Sequence, residues 1–158
     1  MNIGINYEQK LREWIKYFSR CMGSHHLHHI YTFIFPRPMD KAALLHALVD
    51  YCLGSEVILL RGRPTAKGEP HIFQFVPDDV LAKIDPDSKD TFLKLQRLRR
   101  KHFIQRLRRV EVDGVSGVRM SLNWKLIYER LSTEYDKILA RRKVYEQRRE
   151  ESEAEKAA

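Results

Sequence analysis

A chain of 158 residues that is 43% hydrophobic and 32% charged suffices for one domain with a real core, with a helix appended at each end. The formal net charge of +8 and pI near 9.6 call for a polyanionic partner, nucleic acid ahead of an anionic membrane surface. No apolar run approaches the ~18 residues of a spanning helix, and MNIGINYEQK lacks the pattern of a secretory leader, so a cytoplasmic protein with reduced Cys21 and Cys52 is expected.

Tyr7, Leu11, Trp14, Phe18 and Met22 recur at helical spacing and predict an amphipathic helix that ends at Gly23-Ser24. Its aromatic face is expected to pack on the domain or on a second copy of the chain. His25, His26, His28 and His29 follow, with no nearby Cys, Asp or Glu to complete a metal site. They read as polar loop, and no metal or cofactor is expected. Ile30 to Phe35 (IYTFIF) reads as a strand or a buried extended connector. Pro38 and Asp40 introduce a helix that buries Leu44, Leu45, Leu48 and Tyr51 or Cys52 and stops at Gly54. Glu56–Arg61 and His71–Val76 read as strands. The loop between them, GRPTAKGEP, has no G-K-[ST], so it is not a P-loop. Arg61, Arg63 and Lys67 make it either a second basic finger onto DNA or a soluble turn.

The stretch from Pro77 to Trp124 organises the rest. A short helical segment, VLAKI, ends at Asp85-Pro86, and a second helix starts at Ser88 with Thr91, Leu95, Leu98 and His102 on its core side. Asp85, Asp87 and Asp90 do not form a calcium loop, because the central glycine is absent and Gln96 stands where the bidentate Glu is needed. Asp87 or Ser88 as N-cap and Asp90 in the first turn explain these acids better. A β-run begins at Phe103-Ile104 and turns at Asp113-Gly114. It returns as Val118, Met120 and Leu122, alternating with Arg119, Ser121 and Asn123. Between Thr91 and Val110 the chain carries Lys94, Arg97, Arg99, Arg100, Lys101, Arg106, Arg108 and Arg109 and no acid.

The helix side opposite the core presents Lys89, Leu93, Gln96, Arg97 and Arg100. Arg and Gln pair with guanine and adenine edges in a major groove, whereas Arg106, Arg108 and Arg109 on the strand suit phosphates. The expected DNA contacts are Lys89, Lys94, Gln96, Arg97, Arg100, Lys101, Arg106, Arg108, Arg109 and Arg119.

The L-x-x-L-x-x-K-x-F-I run from Leu95 to Ile104 resembles the end of the recognition helix and the first wing strand of winged helix-turn-helix proteins. V-R-M-S-L-N-W, closing the hairpin, is similar to the wings of plasmid and phage replication proteins and of some bacterial regulators. The resemblance covers about 45 of the 158 residues. It implies DNA binding through the second helix and the wing and leaves the process open. The leading expectation from the helix order and the basic helix is a sequence-specific binder of double-stranded DNA in replication initiation or transcriptional control.

After Trp124 one apolar stripe, Trp124, Ile127, Leu131, Tyr135 and Ile138, predicts a long helix to about Glu151 with a frayed tail. The expected architecture is therefore helix-rich α+β. It comprises an N-terminal helix and connector (1–38), a winged helix with an expanded first β-hairpin (39–123), and a long C-terminal helix (124–158). Two tandem winged helices, with the first in Asp40–Val76, are the variant. No G-x-S-x-G, H-E-x-x-H, C-x-x-C or dinucleotide fingerprint is present, and a non-enzyme is expected. A structural subunit of a nucleoprotein assembly, dimeric through its terminal helices, is the alternative. RNA binding ranks third, without a GXXG loop to support it.

Overall fold

The computed structural model describes residues 4–35, 39–63, 66, 68, 71–86 and 89–157. Asn6 starts α1 (Tyr7–Met22) by accepting from the Gln9 amide at 3.1 Å, and Gly23 ends it at φ +87°. Leu11 and Phe18 are fully buried. The predicted aromatic stripe packs inside its own chain, with Trp14 and Phe18 edge-on to Tyr135 at 6.0 and 5.2 Å.

A 3-10 turn, Ser24–His26, leads into α2 (Leu27–Phe33). This corrects the expectation of a strand or extended connector at Ile30–Phe35 and of a histidine loop before it. Leu27, Ile30, Tyr31 and Ile34 are buried at three- and four-residue spacing, so burying one side of a helix overrides the β-branched and aromatic composition of IYTFIF. In α3 (Met39–Leu53), Leu44, Leu45, Leu48 and Cys52 are buried as expected, and Tyr51 is half-buried. Arg12 of α1 donates to the Leu53 carbonyl at 2.6 Å, satisfying the last turn of α3.

Four antiparallel strands form one sheet in the order β1-β2-β4-β3, where β1 is Ile58–Arg61, β2 Ile72–Pro77, β3 Ile104–Val112 and β4 Val115–Leu122. Between β2 and β3 come α4 (Asp78–Ile84) and α5 (Thr91–Arg100). The residues expected to cap α5, Asp87 and Ser88, lie outside the described residues. The helix itself starts three residues later than predicted, after Asp90.

His102 is the second correction around α5. It is exposed and sits past the helix end at φ +70°. The Phe103 amide donates to Leu98 O at 3.1 Å and the His102 amide to Arg99 O at 3.0 Å, a Schellman termination with His102 where glycine is usual. Without a glycine to mark the stop, the apolar period reads one turn too far. At the other end of the hairpin, Asp113 (φ +51°) and Gly114 (φ +80°) make the turn the sequence announced.

Asn123 starts α6 (Trp124–Ala157), 34 residues and about 51 Å long. The helix runs on to Ala157, which corrects the expected fraying after Glu151. No glycine or proline interrupts it, and Arg149–Glu153 pairs at 3.4 Å along its surface. One core joins Leu11, Phe18, Ile30, Leu45, Leu95, Met120, Ile127 and Tyr135, so the terminal helices and the middle of the chain share it. The sheet offers Val76, Val118, Met120 and Leu122 to that core, while Phe73 and Phe75 are buried apart from it. Among the described residues, no helix is long and apolar enough to cross a membrane.

Candidate nucleic-acid interface

Leu95 and Leu98 anchor α5 to the core and leave Leu93, Arg97, Arg99 and Arg100 exposed, with Gln96 half-buried. Leu93, Gln96, Arg97 and Arg100 follow i, i+3, i+4, i+7 and share one side of the helix. Lys89 is exposed just ahead of it. Two other expected contacts are engaged within the chain. Lys94 turns into the α4–α5 junction, where its Nζ lies 3.3 Å from both Asp85 carboxylate oxygens. Lys101 is half-buried, with its Nζ 5.6 Å from the Phe35 ring centre.

The strand register then divides the remaining arginines. Leu107 pairs with Met120 and Arg109 with Val118, so Arg109 shares the core side of the sheet. There it donates to Asp78 at 3.0 and 3.3 Å and lies 5.7 Å from the Phe92 ring, bracing α4 and α5 against β3. Arg106 pairs with Ser121 and Arg108 with Arg119, on the opposite side of the sheet. The ten expected contacts therefore do not share one surface. Gln96, Arg97 and Arg100 stand together on α5, and Arg106, Arg108 and Arg119 stand together on the outer face of the sheet. Lys94 and Arg109 hold elements together. Period-two alternation could have separated Arg108 from Arg109 in the sequence. A reading by charge alone merged them.

The end of α5 borders the edge strand. Gln105 is bulged out of register between Ile104 and Arg106, and with Arg99, Arg100 and His102 it lines a hollow of about 400 Å³. The tip of the hairpin carries Glu111 at the end of β3 and Asp113 in the turn, in place of basic residues.

On the outer face, a second hollow of about 550 Å³ is lined by Gly62, Arg63, His71, Phe73, Arg106, Arg108 and Arg119. The Arg119 guanidinium stacks 4.2 Å above the Phe73 ring. Gly62 closes the β1–β2 hairpin by donating to His71 O at 2.6 Å, and a side chain there would collide with Phe73. Arg63 belongs to the loop that the sequence reads as either a basic finger or a soluble turn, and His71 and Phe73 are not among the expected contacts. The only signal was Phe73 and Phe75 alternating with Gln74 in β2.

The remaining titratable groups lie on the helices. His46 Nε2 and Asp50 Oδ2 are 3.3 Å apart on α3, and the Tyr31 ring stacks on His46 at 4.6 Å. Loss of solvation lowers the His46 pKa and raises that of Asp50, and burial raises that of the Tyr31 phenol. The histidine rings lie in tilted pairs, His25–His26 at 4.0 Å and His28–His29 at 3.9 Å between ring centres. Among the described residues, no three His, Cys, Asp or Glu side chains are grouped to hold a metal.

No family model, curated protein or solved structure matches this chain.

Proposed function

We propose that the chain binds double-stranded DNA, with α5 in the major groove and the base of the β3–β4 hairpin on the flanking backbone. On this reading α3, the β1–β2 hairpin, α4, α5 and the β3–β4 hairpin form a winged helix whose first strand has grown into a hairpin. The sheet order, with β4 between β2 and β3, supports that assignment. The observation that carries the reading is the amphipathic division of α5. Leu95 and Leu98 are completely buried, while Arg97 and Arg100 are exposed on the side that also bears Gln96. A helix fits the major groove, and guanidinium and amide groups read its base edges. Action in replication initiation or transcriptional control extends this proposal.

Electrophoretic shift of duplex DNA tests it, with Arg97→Ala and Arg100→Ala compared with the parent chain. Each substitution is expected to cost about 1–3 kcal/mol of affinity if it removes a base contact. With about six phosphates engaged, log affinity falls against log salt with a slope near −5. Unchanged affinity in both variants would rule out docking through α5.

A second reading, as a non-catalytic subunit of a nucleoprotein assembly, has one observation in its favour. Residues 140–157 of α6 are exposed throughout, including Val144 and Tyr145. Deleting α1 is a poor test, since Leu11 and Phe18 belong to the core. Light scattering of the full chain and of Tyr145→Glu decides between them. A monomer in both cases argues against the second reading.

A further inference from the structure

The hollow on the outer face of the sheet gathers like charges that no described carboxylate offsets. Arg108 and Arg119 are direct cross-strand partners on the same face of β3 and β4. Like charges placed directly opposite one another on a sheet destabilise it. Arg106 and Arg63 line the same space, and among the described residues no acid does. Among the described residues, none of these four guanidiniums pairs with a carboxylate, whereas Arg12, Arg109 and Arg149 each do. On the other face of the sheet, by contrast, Asp78 stands against Arg109.

Two further observations concern how the hollow is prepared. The Arg119 guanidinium carbon sits 4.2 Å over the Phe73 ring centre, a cation–π contact that holds the group at the hollow before any ligand arrives. His71 holds its Nε2 buried with no hydrogen-bond partner. A buried polar atom without a partner is uncommon in native structures and calls for an explanation such as a bound group.

We infer that this hollow binds a phosphate-bearing ligand, with Arg106, Arg108 and Arg119 donating to phosphoryl oxygens and Arg63 and His71 closing the site from the β1–β2 hairpin. Guanidinium forks suit this role because they donate in pairs to the oxygens of one phosphoryl group. Phe73 is buried beneath Arg119, so the site reads the charge of the phosphate and offers no open ring for a base to stack on. The ligand is either a nucleic-acid strand passing the edge of the sheet or a small free phosphate compound. The site lies on the face of the sheet opposite the core and is independent of α5.

Isothermal titration with inorganic pyrophosphate, and separately with a ten-nucleotide thymidine strand lacking a terminal phosphate, tests the inference on the full chain. At least one of the two probes is expected to bind, and the Arg106→Gln/Arg108→Gln double variant is expected to weaken it about tenfold or more. Both arginines are exposed, and circular dichroism of the variant confirms the fold. Arg141→Gln/Arg142→Gln on α6 removes the same net charge at a distance and is expected to change nothing. Binding of pyrophosphate alone assigns a free phosphate compound. Binding of the strand, with or without pyrophosphate competing, assigns a nucleic-acid backbone. No binding of either probe, or equal weakening by the α6 variant, overturns the inference. Duplex binding that depends on Arg97 and Arg100 would survive that outcome, and pyrophosphate binding would survive failure of the duplex reading, so the two are separable.

Discussion

Lys94 Nζ lies 3.3 Å from both carboxylate oxygens of Asp85, across the turn that joins α4 to α5. Each side chain is only 15% exposed, and Asp85 also accepts the Thr91 hydroxyl at 2.9 Å. One carboxylate thus holds two residues in the first turn of α5 and sets the angle at which that helix leaves α4. Asp85→Ala leaves a largely buried ammonium without this partner and is expected to lower stability by about 1–3 kcal/mol in urea unfolding. Lys94→Met is expected to leave duplex affinity within about twofold of the parent, because the ammonium is already engaged within the chain. A large loss of affinity in Lys94→Met would mean the ion pair opens to meet DNA.

Asn123 ties the end of α5 to the start of α6. Its Nδ2 donates to His102 O at 3.0 Å, and its Oδ1 accepts from the Leu126 amide at 3.1 Å as the cap of α6. Asn123→Ala is expected to cost about 1–2 kcal/mol, with Asn123→Asp recovering part of it by keeping the cap. His102→Gly is expected to stabilise by about 0.5–1 kcal/mol, because the left-handed backbone at φ +70° suits glycine. Thermal melts of the three variants test both points. Equal melting of Asn123→Ala and the parent would show that the cap contributes nothing.

Gly117 supports the outer face of the sheet. A Cβ added there would sit 2.5 Å from the Val76 carbonyl oxygen and 2.8 Å from the Phe75 ring. Phe75 is 1% exposed and cannot move without opening that face. Gly117→Ala is expected to destabilise by about 1–3 kcal/mol through overpacking. A melting temperature within a degree of the parent would show that the strands separate to accommodate the methyl group.

Burial pushes the Cys52 thiol up to about 12 from its ordinary value of 9.0, with the charge of Glu8 adding to the effect. The folded state therefore keeps a proton that the unfolded chain releases above pH 9. The stabilisation is fully present below pH 9 and is lost as pH rises towards 12. One unit of difference corresponds to 1.36 kcal/mol, so a loss of about 1.4 kcal/mol between pH 8 and pH 10 is expected from this group. Tyr31, shifted in the same direction by its burial, adds to the decline at higher pH. Urea midpoints across pH 8–10 should fall less steeply in Cys52→Ala. An identical slope in that variant would remove Cys52 as the cause.

Local chemistry was enough to announce much of this molecule from its residues. The period of Leu11 and Phe18, the Asp113-Gly114 turn, the paired strands and the long stripe of α6 each follow from side-chain spacing and turn residues within a few positions. The helix-rich α+β class follows from them. Where long-range burial competed with local preference, the residues misled. IYTFIF carries β-type composition, yet Ile30, Tyr31 and Ile34 gain more by facing the core from one side of a helix. The end of α5 carries no glycine, and its Schellman bonds are visible only in the backbone. Charge along the chain showed that a polyanion was the expected partner but could not say which arginines face it. That depended on the register of β3 against β4, which turns Arg109 inward to Asp78 and Arg108 outward to Arg119, and on the packing that brings Arg63, His71 and Phe73 beneath them. Spacing along a chain sets which residues share an element, whereas only the pairing of distant elements sets which of them share a surface.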